Sequence, residues 1–240
     1  MTAETPVRDI LAGLIAAGAR HSRVPPGQAA AGQPVRSLEV RWIFPGPLTA
    51  AVAGWFARFP ASTESREDTY LLDPPLPGVS VKVRGGGPVE VKVYRGSPGT
   101  LDVAGRARGR LEAWQKWPLA LRPPGPGRGE AAGWRPVRKR RRLSRFCLAG
   151  GQLVVRAPHR GHEPGCEVEL TEIRASGQDW WTLAFEATGP AGLLRSQLQA
   201  AAAHVFAQAL PGGVEPGPDH CRSYLQWLGQ RPGAGNDAGP

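Results

Sequence analysis

From Ser37 to Thr188 the chain consists of short runs in which apolar and charged residues alternate, interrupted by one short helical stretch. Alternation with period two puts one set of side chains on each face of a strand. The runs are Ser37–Phe44, Glu67–Asp73, Val81–Arg84, Val89–Val93, Arg106–Leu121, Trp134–Leu148, Gln152–Arg156, Cys166–Arg174 and Trp180–Thr188. They amount to about eight strands with hairpin-like spacing, and Gly85-Gly86-Gly87-Pro88 reads as one of the turns. Parallel strands would need helical crossovers between them, and these are missing from the pattern. The spacing therefore predicts an antiparallel sheet closed into a barrel, an α+β fold with flanking helices.

The helices expected around that barrel are three. Thr49 caps a short one reaching Phe59, with Val52, Trp55, Phe56 and Phe59 on its apolar face. Ala191–Leu210 follows the last strand, and Cys221–Leu228 closes the body.

Only four of the 30 basic residues are lysine: Lys82, Lys92, Lys116 and Lys139. Each occupies an alternate polar position of a strand-like run, with another charge two or four residues away. Cations converging from neighbouring strands repel one another unless carboxylates or a polyanion lie between them. A barrel that turns this face inward would gather a site for phosphates.

A formal charge of +10 over 240 residues favours acidic partners: nucleic acid, phosphate compounds or an anionic surface. The three cysteines, Cys147, Cys166 and Cys221, are odd in number and widely spaced, which suits a reducing, cytoplasmic setting rather than a disulfide framework. The apolar stretch Ile10–Ala19 follows Glu4, Arg8 and Asp9 rather than a basic lead, and is too short to span a bilayer. Residues 1–36 read as a flexible extension with room for a short helix, 37–229 as the folded domain, and 230–240 as a disordered tail.

Taken in order, these runs resemble the CYTH superfamily, the triphosphate tunnel metalloenzymes, over residues 37–228. The opening strand is Ser37-x-Glu39-x-Arg41 where that family has Glu-x-Glu-x-Lys. Basic strands follow, carrying Lys82 and Arg84, then Lys92 beside Glu90, then Arg110, Glu112 and Lys116, then Lys139 and Arg141. An acidic pair, Glu167-x-Glu169-x-Thr171 and Glu186-x-Thr188, closes the series. The resemblance implies an eight-stranded tunnel. In it Arg41, Lys82, Arg84, Lys92, Arg110, Lys116, Lys139 and Arg141 would neutralise a triphosphate or polyphosphate-type anion. Glu39, Glu169 and Glu186 would hold Mg²⁺ or Mn²⁺, which bridges phosphate oxygens and orients an attacking water. The activity so implied is hydrolysis of an inorganic or organic triphosphate. The departures are Ser37, Arg41, Thr171 and Thr188; three of them replace carboxylates of the family's metal site.

Two other readings stand beside this one. A protein with the basic lining but a degenerate metal site would bind polyphosphate or nucleotides without turnover. Alternatively, Arg138, Arg140 and Arg142 would face outward from the same strand as Lys139 and Arg141, and could contact nucleic acid through its phosphates. His159, His162 and Cys166 near Glu163 lack a fourth zinc ligand and read as a surface loop. His220-Cys221 is not a nucleophile pair, since sequence neighbours on a helix point apart. The tryptophans are expected to serve chiefly in packing.

Overall fold

The computed structural model describes residues 34–72, 76–119, 133–156 and 164–230. The N-terminal extension to residue 33, the Pro/Gly-rich connection over 120–132, the group His159, His162 and Glu163, and residues 231–240 lie outside them.

The strands are β1 (Val35–Pro45), β2 (Ser62–Leu71), β3 (Val79–Arg84), β4 (Val89–Gly96), β5 (Thr100–Val103), β6 (Ala107–Arg110), β7 (Glu112–Leu119), β8 (Trp134–Ala149), β9 (Gln152–Arg156), β10 (Gly165–Ala175) and β11 (Gln178–Thr188). The helices are α1 (Ala50–Phe56), α2 (Leu194–Val205) and α3 (Tyr224–Gly229). Eight strands close in the order β1-β7-β4-β3-β2-β8-β10-β11, because β10 pairs with both β11 and β8. Every pairing is antiparallel. The expected α+β barrel is therefore present, with β9 as an added hairpin arm on β8 and β5–β6 as a separate two-stranded sheet.

One expected strand is divided. The run Arg106–Leu121 breaks at Leu111, between β6 and β7. Ala104 and Gly105 take positive φ values of 44° and 71°, which turns β5 back on β6. The Leu111 amide then donates to the Gly99 carbonyl (2.9 Å), outside the barrel ladder.

The main apolar core lies outside the barrel, against half of its wall. Leu38, Val40, Trp42 and Phe44 point outward from β1 and pack under α1, α2 and the β5–β6 hairpin. Trp42 meets Phe185 and Phe206 edge-on at 6.2 and 6.0 Å. Each such large side chain contributes roughly 1.5–3 kcal/mol by leaving water, so this layer fixes which face of β1 turns inward. On the opposite wall Val79, Val81, Val89, Val91 and Val93 likewise point away from the lumen. Alternation then forces the polar set into the interior.

One end of the barrel is shut by α3. Ser223 and Gln226 form a reciprocal capping box at its start. Trp227 and Leu228 pack on Ile43, Tyr70, Val137 and Ile173 inside the barrel end, and Trp227 meets Trp180 edge-on at 5.4 Å. Arg135 donates to the Leu228 carbonyl (3.2 Å), so a cation sits at the end of the helix where free carbonyls collect. Among the described residues no helix is long and apolar enough to cross a membrane.

Candidate functional site

The barrel encloses a cavity of about 70 Å³. All eleven residues singled out from the sequence line it: Arg41, Lys82, Arg84, Lys92, Arg110, Lys116, Lys139, Arg141, Glu39, Glu169 and Glu186. Ten of them arrive there because each occupies the inward position of its barrel strand, and Arg110 reaches the mouth from the end of β6. Arg84 and Arg110 are half-exposed at the rim, while Lys139 is almost fully buried beside the closed end. The lining has ten cationic side chains against four carboxylates.

The carboxylates form a row. Glu39 stands directly opposite Glu186 on one side and opposite Glu112 on the other, and Glu186 stands opposite Glu167. Like charges in facing positions destabilise a sheet unless something lies between them. Here every member meets a cation. Lys92 Nζ lies 2.6 Å from Glu39 and 3.6 Å from Glu186. Lys116 Nζ donates to Glu186 (2.9 Å), Arg110 to Glu112 (2.9 Å) and Arg145 to Glu167 (3.3 Å).

Glu169 is two residues farther along β10 and belongs to a different group. It receives bonds from Arg141 through both Nε (3.0 Å) and Nη2, from Arg41 (3.2 Å) and from the Thr171 hydroxyl (2.7 Å). Burial alone would raise its pKa, but Arg141 and Arg41 hold it well below the usual range. Glu186 is likewise held low by Lys116 and Lys92 against the effect of burial. Burial would depress Lys92, yet Glu186 and Glu39 keep its pKa above that of an ordinary lysine.

Asp68, a residue not singled out from the sequence, is fully buried at the inner end. Its carboxylate meets Arg66 (3.0 Å), Lys139 (2.9 Å) and Lys82 (3.9 Å), joining cations from three strands. Glu90, also inward, meets Lys82 and Arg84, each at 2.9 Å. Burial lowers Lys82 to about 8 despite Glu90. Lys139 is lowered well below its ordinary value by burial, with Asp68 opposing and Lys82 adding to the effect. Its ammonium donates to the Tyr70 hydroxyl (2.7 Å) and lies 4.0 Å from the Tyr224 ring centroid, over which Arg41 also stacks at 4.4 Å. The closing helix thus contributes an aromatic floor to a cationic chamber. Trp114 is a correction of detail: it is buried, but on the inward face, lining the cavity with Glu112 and Lys116.

Whether Glu39, Glu169 and Glu186 fit a divalent metal is decided by what surrounds them. Glu39 and Glu186 face each other, but lysine ammoniums take Oε1 of each, and Glu169 is spent on two guanidiniums and a hydroxyl. Among the described residues, no three His, Cys, Asp or Glu side chains are grouped to hold a metal ion. The donor set as arranged does not fit a protein-held Mg²⁺ or Mn²⁺.

On the outer face of β8, Arg138 and Arg140 are exposed as the alternation requires, whereas Arg142 is mostly covered. All three have carboxylate neighbours: Arg138 with Glu67 (3.1 Å), Arg140 and Arg142 with Glu172 (3.8 and 2.9 Å). Cys166 is buried in the outer apolar core, and His220 packs against Phe44 with the rings tilted and their centroids 4.6 Å apart.

No family model and no curated protein matches this sequence. Among solved structures it is similar to the PH1819 protein from Pyrococcus horikoshii OT3, at 14% identity and a TM-score of 0.37, over 80% of this chain and 97% of that one.

Proposed function

We propose that this is a CYTH-like tunnel protein whose interior binds a phosphate-rich anion of the triphosphate or polyphosphate type. One observation carries the reading: ten cations converge on a single cavity, against four lining carboxylates and three more, Glu64, Asp68 and Glu90, that pair with them. The cationic excess that remains after these pairings is costly to keep in a partly desolvated space. An anion with several oxygens per charge matches it, because guanidiniums grip phosphate oxygens bidentately and ammoniums act as point charges. The residues proposed to hold it are Arg41, Lys82, Arg84, Lys92, Arg110, Lys116, Lys139 and Arg141.

The cavity is narrow because internal ion pairs fill it. Entry of the anion exchanges carboxylate partners for phosphate oxygens, so binding weakens with salt and reorders the lining. Binding without turnover is favoured over triphosphate hydrolysis by the poor fit of Glu39, Glu169 and Glu186 to a metal. Nucleic-acid binding through Arg138, Arg140 and Arg142 is disfavoured by the carboxylates beside them.

The test is calorimetric titration with tripolyphosphate, ATP and orthophosphate, with phosphate release followed in the same samples. Tripolyphosphate should bind most tightly, and Arg41→Ala together with Arg141→Ala should abolish the heat. Equal, weak heats for all three anions would end the reading.

A further inference from the structure

Resting on that reading, we infer that the tunnel holds its anion without a divalent metal. Lys92 occupies the space between Glu39 and Glu186 where such an ion would bind, and Lys116 holds the same oxygen of Glu186.

Three observations converge on this. First, the ammonium of Lys92 lies 2.6 Å from Glu39 and 3.6 Å from Glu186, with Lys116 2.9 Å from Glu186. Mg²⁺ requires carboxylate oxygens at about 2.0–2.1 Å in a near-octahedral shell. A metal bridging Glu39 Oε1 and Glu186 Oε1 would have to expel Lys92, leaving a buried ammonium without its carboxylates.

Second, the positions that depart from the metal-binding pattern are not vacant of chemistry. Ser37 Oγ donates to Glu39 Oε1 (2.8 Å), the same oxygen that accepts from Lys92. Thr171 Oγ1 donates to Glu169 Oε1 (2.7 Å), which also accepts from Arg41. Carboxylates that would add ligands are thus replaced by hydroxyls whose protons point at the remaining carboxylates. A hydroxyl proton and a metal ion compete for the same lone pairs.

Third, the charge is already sufficient. A divalent ion at a phosphate site neutralises oxygens in a lining that otherwise carries too little positive charge. Here ten lining cations still outnumber the seven carboxylates that meet them before any metal is added. In this arrangement Glu39 and Glu186 are not ligands but internal competitors, holding Lys92 and Lys116 in place until phosphate oxygens take them over.

The two roles of Glu186 predict opposite signs for one substitution. Glu186→Gln keeps the shape but releases Lys92 and Lys116 to the anion. Without a metal, tripolyphosphate affinity rises about tenfold, on the scale of one charge-assisted hydrogen bond. A metal ligand removed would lower it instead.

Calorimetry with tripolyphosphate in EDTA should show saturable binding by the unaltered protein, and Mg²⁺ in place of EDTA should not strengthen it, because Mg²⁺ competes in solution for the same phosphate oxygens. Mn²⁺ titrated alone should give no saturable heat. Lys92→Gln should weaken tripolyphosphate binding about tenfold in EDTA, and serves if Glu186→Gln does not melt cooperatively. Binding that requires Mg²⁺, a saturable Mn²⁺ site, or weaker binding by Glu186→Gln would overturn the inference and leave the anion-binding reading standing. No binding in either buffer overturns both.

Discussion

The carboxylate of Asp68 and the ammonium of Lys139 meet at 2.9 Å with essentially no exposure to solvent on either side. Two further cations, Arg66 and Lys82, converge on the same carboxylate from strands β2 and β3. One acid thus sets the spacing of three positive charges at the closed end of the tunnel.

Removing that acid leaves the cations uncompensated in a desolvated place. Asp68→Asn is expected to destabilise the fold by about 3–5 kcal/mol, the usual cost of breaking a buried pair from one side. The pH dependence follows from the same contacts. Burial would raise Asp68, but Lys139, Lys82 and Arg66 bring it from 3.8 down to about 2. A depressed carboxyl contributes stability fully above its unfolded value and loses it as pH falls through the folded one. Urea unfolding should therefore show a loss of roughly 2 kcal/mol between about pH 4 and pH 2, assignable to this group. In Asp68→Asn that step should be gone; an unchanged acid limb would refute the assignment.

Lys82 gives a second pH signature, at the other end of the scale. Burial lowers it from 10.5 to about 8. The group carries less charge in the folded than in the unfolded chain between those values, so its contribution makes stability rise with pH over that window. Anion binding should respond in the opposite direction. As pH passes through 8 the ammonium loses its proton, and tripolyphosphate affinity should fall several-fold between about pH 7 and 9. Lys82→Met should bind more weakly at pH 7 and no longer show the step. Titrations at a series of pH values, at fixed ionic strength, measure both.

Much of the chamber was legible in the sequence because period-two alternation is a strong signal and the charged set is almost the only polar set available. Lys82, Lys92, Lys116 and Lys139 could be placed on one face before any fold was known. What alternation does not supply is the register between strands. That Glu39 faces Glu186 and Glu112 at once depends on hydrogen-bond pairing across β11, β1 and β7. Asp68 escaped because β2 was expected to begin only at Glu67. Its first half, Ser62–Arg66, is polar on both faces and shows no hydrophobic period. Within the true strand, Glu64, Arg66, Asp68 and Tyr70 alternate inward and carried the missing signal. Tyr224 reaches the chamber from a helix whose position is set wholly by tertiary packing, which no local pattern encodes.

The outward arginines of β8 supply a negative control. Arg138 and Arg140 are 77% and 58% exposed, and their ion pairs with Glu67 and Glu172 are of the solvated kind that contribute little. Arg138→Gln and Arg140→Gln should each change stability by less than about 1 kcal/mol and leave tripolyphosphate affinity within error. Fluorescence anisotropy with a short DNA duplex tests the rival use of this face. Weak binding that vanishes by moderate salt and does not depend on these residues is the expected result. Tight duplex binding lost in the double variant would instead make this surface the functional one.

Two glycines of the β5–β6 hairpin test how the outer layer fixes β1. At Gly109 an added Cβ would lie 2.7 Å from Val40, 2.9 Å from Trp42 and 3.0 Å from the Cys221 sulfur. Val40 and Trp42 are buried with little freedom to withdraw, and the Trp42 indole is further tied by its bond to the Arg108 carbonyl (3.0 Å). Gly109→Ala should therefore cost about 1–3 kcal/mol through overpacking. At Gly105 nothing lies within 4 Å, but φ is +71°. There the cost is conformational, so Gly105→Asn should be mild, since asparagine tolerates the left-handed region. Gly109→Asn has no such escape and should be worse than Gly109→Ala. Thermal melts of the three variants distinguish space from backbone as the reason for each glycine, and equal losses at the two positions would show that the hairpin does not pack on β1 as described.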